Sequence, residues 1–411
     1  MTFWRVAAWG AVLSAATLAG AAGANPAGAN PVKANPAGVD RAEADPARAD
    51  TTAADTAGAE PAGADTAGIT TRRAPRAAAA RDSAASEART AKPVAAVEHV
   101  VIISVDGLRP DVMLRAKTPN IRRLMESGSF TLWARTVPLS ITLPSHTSML
   151  TGVTPDRHGV LWNGDLPEPA YPLVPTIFQT ATRAGVTTAL VTGKTKFVAL
   201  DRLGSVDWSH VAKAKDADVG VAAVAVLRDH RPGLTFVHFP GGDAAGHSKG
   251  WGSPEQIAAV GSIDKSIGLI IDALEDTGLR ESTVVILSAD HGGAGKSHGP
   301  NDPRSRHIPW IASGPGIRKN YDLTLDPTLT VNTEDTFATA CFFLGVRPMI
   351  KIDGKPIEQV LEQRELMKEA KPATAAATGD EASSPSSTAA TPPRASEALR
   401  APAANSAPAS R

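Results

Sequence analysis

Apolar positions along this chain alternate between two spacings, and that alternation predicts the fold class. Val100-Val101-Ile102-Ile103 is a short continuous apolar run, the pattern of a strand buried on both faces. Val186–Val191, Leu234–Phe239 and Thr283–Leu287 read the same way. Between these runs, apolar residues recur three or four positions apart, the period of a helix face. Such sets are Ile121, Leu124 and Met125, then Val174, Ile177, Phe178 and Ala181. The clearest spans 254–276, with Ile257, Val260, Ile263, Ile267, Ile270, Ile271 and Leu274 on one face. It opens on Ser253-Pro254-Glu255-Gln256, a capping box with proline at the first helical position, and should stop near Gly278. Strands alternating with helices predict an α/β fold with a mainly parallel central sheet covered by helices on both faces. Ligands bind such sheets beyond the carboxyl ends of the strands. Asp106, Asp243 and Asp290 each follow a predicted strand, so residues distant in sequence should meet at one edge.

Only residues 96–366 carry this pattern, enough for one large domain. Residues 1–24 read as an export signal: Arg5, an Ala/Val/Leu/Trp-rich stretch, and the small-residue site Ala22-Gly23-Ala24. An uncleaved membrane anchor is the alternative, weakened by the many Ala and Gly residues. A secreted or periplasmic protein without stable membrane insertion is therefore expected. Residues 24–68, most of a stretch running over 25–95, repeat units such as Ala24-Asn25-Pro26-Ala27-Gly28, with Pro or Thr where a stacked five-residue coil needs a large apolar residue. A disordered Ala/Pro/Asp linker is expected there, and a similar tail over 367–411. Lys and Arg total 42 and Asp and Glu 42, so zero net charge argues against nucleic acid as a bulk partner. The single cysteine, Cys341, lies in an apolar stretch and reads as a core thiol, leaving no disulfide framework or Cys-based zinc site.

The chemistry concentrates in four places. Asp290-His291-Gly292-Gly293 follows a buried strand; Asp106 lies in Val-Asp-Gly; Asp243 and His247 lie in Asp-Ala-Ala-Gly-His; His298 lies in Ser-His-Gly. Zinc takes imidazole nitrogen and carboxylate oxygen, and a turn or a helical i, i+4 face brings Asp243 and His247 to one ion. Singly, an Asp-Gly is most often a turn and an exposed His is merely solvated; six ligand-type residues at strand ends point to metal. Thr142 precedes Pro144 and a short apolar helix over Ser145–Leu150. It reads both as a helix N-cap and as a nucleophile, because a helix N-terminus favours an alkoxide. His307 is an alternative third ligand to His298; His146, His158 and His238 read as structural hydrogen-bonders. The set describes a metal-dependent phosphoester hydrolase acting on a small molecule.

As a set these motifs resemble the alkaline phosphatase superfamily, in its nucleotide pyrophosphatase/phosphodiesterase (type I phosphodiesterase) branch. The resemblance rests on Val-Asp-Gly-Leu-Arg-Pro-Asp at 105–111, Thr-Pro-Asn-Ile at 118–121 and Thr-Leu-Pro-Ser-His-Thr-Ser-Met-Leu-Thr-Gly at 142–152. Pro-Asp-Arg-His-Gly-Val at 155–160, with the Asp-Ala-Ala-Gly-His, Ala-Asp-His-Gly-Gly and Ser-His-Gly segments, completes it. It implies two Zn2+ ions, with Mn2+ or another divalent ion as the alternative. Asp243, His247 and His298 would hold one; Asp106, Asp290 and His291 the other, with Thr142 bound to it and attacking phosphorus. Asn163 would donate to a phosphate oxygen, although Asn163-Gly164 also reads as a turn. The nucleophile segment lacks the Cys-x-Pro-x-Arg pattern of sulfatases. Thr192-Gly193-Lys194-Thr195-Lys196 nevertheless resembles their anion-contacting segment, so Lys194 is a candidate phosphate contact favouring monoesters; solvated loop lysines are the plainer reading. A covalent intermediate also suits transfer of a phospho-alcohol to a lipid or sugar acceptor. Trp162–Tyr171 and Phe197–Val219 are expected to wall the substrate pocket, with Trp162, Tyr171 and Trp251 either stacking a base or forming satellite cores.

Overall fold

The computed structural model describes Thr70–Thr71 and residues 85–362, with 169, 203, 300 and 301 excepted. The expected export signal, most of the linker, and the tail lie outside the described residues.

One nine-stranded sheet organises the described residues, in the order β1-β5-β4-β6-β2-β7-β8-β3-β9. The strands are β1 (Thr70–Thr71), β2 (His99–Val105), β3 (Gly128–Arg135), β4 (Thr188–Thr192), β5 (Trp208–Val211), β6 (Leu234–Phe239), β7 (Thr283–Ser288), β8 (His307–Ser313) and β9 (Tyr321–Asp322). The central five, β5-β4-β6-β2-β7, are parallel, with Ile102 opposite Phe236 on one side and Ile286 on the other. Antiparallel pairing enters on both flanks, through β1 against β5 and through β8 against β7 and β3. The continuous apolar runs are explained by burial: every residue of β4, β6 and β7 is buried, as is all of β2 beyond His99. Helices close both faces because each buried Val or Ile contributes about 1.5–3 kcal/mol only when water is excluded from it.

The 254–276 helix is Pro254–Asp276, packed against the helices Asp216–His230, Gly241–Lys249 and Pro119–Glu126. Its cap differs from a reciprocal box. Ser253 Oγ accepts from Gln256 N at 3.2 Å, but Gln256 Oε1 accepts from Gly252 N at 2.6 Å, one residue beyond the cap. Gln256 Nε2 then donates to Gly242 O at 3.1 Å, tying this helix start to the segment that carries Asp243.

Two sequence expectations shift. The packed region starts inside the expected linker: Ala88 and Val94 join the core, and Thr90 N–H donates to Gly345 O at 2.9 Å. No periodicity marks those residues because their partners lie far along the chain. The helix expected after Thr142 also runs longer than Ser145–Leu150, spanning Thr142–Thr151 with every residue buried. Two of its hydroxyls bond within the helix, Thr147 Oγ1 donating to Leu143 O and Thr151 Oγ1 to Thr147 O, both at 2.7 Å, while Ser145 Oγ donates outward to Asp290 O at 2.7 Å. Cys341 is buried in the core, as its context predicts.

Candidate metal-dependent active site

The parallel strands deliver their chemistry to one rim. Asp106 is the first residue after β2; Asp290 and His291 follow β7 by two and three positions; Asp243 sits in the first turn of the helix after β6. Asp106, Asp290 and His291 are fully buried, and their ligand atoms all lie within 4.8 Å of one another. Asp243, His291 and His298 form a second such group, so the two sets abut at His291. His247 joins the second through Asp243, whose Oδ1 lies 3.3 Å from His247 Nε2 and 3.6 Å from His298 Nε2. The i, i+4 spacing works as expected: both residues lie on Gly241–Lys249.

The donor chemistry fits divalent cations. Among the described residues, Asp106 Oδ1, Asp243 Oδ1 and Asp290 Oδ2 are buried with no hydrogen-bond partner, a costly arrangement unless a cation faces them. The outer oxygens are occupied instead: Asp290 Oδ1 accepts from Gly107 N (3.0 Å) and His291 N (2.9 Å). Each candidate imidazole gives Nδ1–H to a backbone carbonyl: His291 to Gly292 O (2.9 Å), His298 to Ser140 O (2.9 Å), His247 to Lys296 O (3.0 Å). A carbonyl accepts only, so Nδ1 carries the proton and Nε2 is left as the lone-pair donor facing inward. Burial pushes His291 down to about 4 and lowers His298, so both are neutral near pH 7. His247, more exposed, is raised by the Asp243 carboxylate beside it. Burial raises Asp290 well above the usual carboxylate range, and the neighbouring Asp106 and Asp243 charges add to it. Burial alone would raise Asp106 too, but Lys194, His238 and His291 outweigh it and hold it low.

Thr142 occupies the first turn of its helix, and its Oγ1 lies 3.5 Å from His291 Nε2. The N-cap reading of Thr142 is corrected: Ile141 is the cap residue and no side chain caps this helix, so the hydroxyl is not spent on the backbone. Asn163 is held beside it by Leu143 N–H, which donates to Asn163 Oδ1 at 2.9 Å. Lys194 is no solvated loop residue. Its Nζ donates to Asp106 Oδ2 and Asp243 Oδ2, each at 2.7 Å, bridging the two ligand sets; those carboxylates raise its pKa despite burial.

His307 stays out of the site: half-buried, it packs edge-on against Trp133 at 5.1 Å. Trp251 stacks no base. It is buried, donates Nε1–H to Gly107 O at 2.9 Å, and sits so close to Gly246 and Gly293 that a Cβ there would lie 2.8 and 2.3 Å from its ring. Those two glycines thus make room for a wedge between the metal-ligand segments. Phe197 lines no pocket; it is fully buried, with its ring centroid 4.4 Å from that of His238 and 4.8 Å from that of His146.

His238 and His146 are hydrogen-bonded, as their structural reading implies, whereas Lys196 is more than the solvated loop lysine expected. His238 Nε2 lies 2.9 Å from Asp106 Oδ2, and His146 bonds Ser104 Oγ and Thr142 O at 2.8 Å each. Lys196 reaches Asn163. The Thr142/His146 spacing of four was the available signal for one of them; the others depend on long-range packing.

Residues 100–302 match the family model described as type I phosphodiesterase / nucleotide pyrophosphatase. That match supports placing these residues in the nucleotide pyrophosphatase/phosphodiesterase branch of the alkaline phosphatase superfamily. Among curated relatives, ectonucleotide pyrophosphatase/phosphodiesterase family member 3 of Mus musculus is 24% identical over 214 residues, covering 47% of this chain and 24% of the relative. Family member 1 of Mus musculus is 26% identical over 219 residues, with the same coverage of 47% and 24%. Venom phosphodiesterase 2 of Crotalus adamanteus is 24% identical over 214 residues, covering 47% and 26%. The chain spans about a quarter of the length of the curated relatives it matches. Among solved structures, murine ectonucleotide pyrophosphatase / phosphodiesterase 5 superposes with a TM-score of 0.54 at 15% identity, covering 64% of this chain and 100% of that one. A 2-O GAG sulfatase gives 0.52 at 18% identity, covering 64% and 74%. These structural likenesses show a shared fold, alkaline-phosphatase-like, as the alternating pattern and motifs led one to expect.

Proposed function

We propose that this protein is an exported two-zinc phosphoric ester hydrolase that cleaves phosphodiester or nucleotide pyrophosphate bonds through a phospho-threonine intermediate. The observation that carries the proposal is the Thr142 hydroxyl, uncommitted to helix capping, beside three buried carboxylate oxygens that have no partner. Asp106, Asp290 and His291, with Thr142, would hold one ion, and Asp243, His247 and His298 the other. Imidazole-rich donors favour zinc over calcium, with manganese the alternative. Bound there, the ions would lower the pKa of the hydroxyl and offset charge on the phosphoryl oxygens.

Thr142 then attacks phosphorus: its Oγ1–P bond forms as the bond to the leaving oxygen breaks, and the leaving group takes up a proton. Water cleaves the Oγ1–P bond in the second step and restores the hydroxyl. The positive end of the Thr142–Thr151 helix supports the oxyanion form of Thr142 throughout. Asn163, whose Oδ1 is already engaged, has only its NH2 group left to offer a non-bridging oxygen. A small nucleotide-like phosphoester is the proposed substrate, in keeping with the relatives' names and with a murine neighbour solved in complex with AMP. The export signal over residues 1–24 belongs to the same proposal. Among the described residues no helix is long and apolar enough to cross a membrane.

Lys194 favours a second reading, phosphomonoester hydrolysis. Its ammonium has three donors and uses two on Asp106 and Asp243, leaving one for the extra charge of a monoester. Turnover of nitrophenyl mono- and diesters by the full chain with zinc separates the readings: a Lys194→Ala loss confined to monoesters supports the second. Thr142→Ala should lose at least ~10²- to 10³-fold in kcat. It should also yield no phosphopeptide containing position 142 after acid quench; undiminished turnover would remove Thr142 as nucleophile.

A further inference from the structure

We infer that Lys196 is a positioning residue that locks the side-chain amide of Asn163 with its NH2 group facing the phosphoryl site. The inference rests on Asn163 acting as a phosphate donor, as proposed above. Asn163 lies in the irregular stretch between the helices Pro155–His158 and Ile177–Arg183, so no regular element orients it. A carboxamide has two nearly isosteric orientations, and only one presents N–H groups to an anion. Two donors select between them. Leu143 N–H donates to Asn163 Oδ1 at 2.9 Å, and Lys196 Nζ donates to the same oxygen at 3.0 Å. Rotating the amide by half a turn would set NH2 against both.

Lys196 Nζ also donates to the backbone carbonyl of Asn163 at 3.0 Å, so one ammonium fixes main chain and side chain together. Those are its two hydrogen bonds among the described residues, and neither is to a carboxylate. Its neighbours complete the tie. Thr195 Oγ1 donates to Asp165 Oδ2 at 2.9 Å, and Lys194 holds Asp106 and Asp243. Three consecutive residues after β4 therefore set the distance between the Asn163 loop and both ligand sets. Thr192-Gly193-Lys194-Thr195-Lys196 is thus a spacer in which the second lysine serves the donor rather than the substrate.

A double-mutant cycle on the full-length, zinc-loaded protein decides the matter, with a nitrophenyl diester as probe. Asn163→Ala should lower kcat by about 10²-fold, the cost of removing one such donor. Lys196→Met should lower kcat by a comparable factor with little change in KM, and Lys196→Arg should restore most of it. In the Asn163→Ala background Lys196→Met should cost less than about twofold, because coupled residues are not additive. Multiplying losses in the double variant would overturn the inference and make Lys196 an independent substrate contact. A silent Asn163→Ala would sink the donor reading itself, whatever Lys196 does. Unchanged melting temperatures in Lys196→Arg and Asn163→Ala guard against misfolding as the cause.

Discussion

The two ligand sets meet at His291 yet are built from different materials. Asp106, Asp290 and His291 are wholly buried and follow β2 and β7, neighbours at the centre of the sheet. Asp243, His247 and His298 hang from one nine-residue helix and a glycine-rich loop, and the His247 side chain is 46% exposed. The sheet clamps the first set through its backbone ladder; the second is steadied by Trp251 and by carbonyls of Lys296 and Ser140. On the proposed function, rigid strand ends would place the nucleophile, and the more open helix-and-loop set would admit the substrate and release its leaving group. The inner cage should therefore bind its ion more tightly and exchange it more slowly.

Variants of the nucleophile and of the inner set give the largest expected effect. Beyond Thr142→Ala, Asp290→Ala should abolish turnover and lower metal content by at least one ion, measured by elemental analysis. His247→Ala should retain the inner ion and lose the outer one. Loss of both ions from His247→Ala would show that the cages fill as a unit. A smaller effect should appear on chelation of the wild type: metal release in two phases, the faster matching the ion missing from His247→Ala. Release in a single phase would break the contrast.

The smallest effect concerns the outer helix alone. Asp216 Oδ1 accepts from Gly241 N at 3.0 Å, anchoring the start of Gly241–Lys249, while burial pushes its carboxyl up to about 6. The folded state then keeps a proton that the unfolded chain, titrating near 4, gives up. Stability contributed by this group is complete below about pH 4 and falls as pH rises towards 6. Asp216→Asn should remove that slope and raise the melting temperature above pH 6 by on the order of a few °C. A wild-type-minus-variant difference that is flat from pH 4 to 7 would reject the assignment.

Much of this was legible in the residues. The buried runs at Val100–Ile103 and Leu234–Phe239 announce central parallel strands because both faces are covered, and the Pro254–Asp276 helix declares its own face, start and stop. Ligand types at strand ends were readable for the same reason, since topology brings those ends together. What stayed hidden depends on contacts without local signature. Lys194 and Lys196 look like solvated loop residues until the sheet sets Asp106, Asp243 and Asn163 around them. Trp251 reads equally as a base-stacking ring or a satellite core until Gly246 and Gly293 make space for it in the interior. The packing of Ala88 and Val94 has no periodicity to announce it.

The Thr142–Thr151 helix has a further consequence. Buried along its whole length, it is tied to its surroundings through Ser145, which donates to Asp290 O at 2.7 Å, and Ser148, whose Oγ lies 3.0 Å from His158 Nε2. A substitution that disturbs either contact should therefore shift Thr142 against Asp290 and His291, so that packing changes far from the rim are felt at the candidate site.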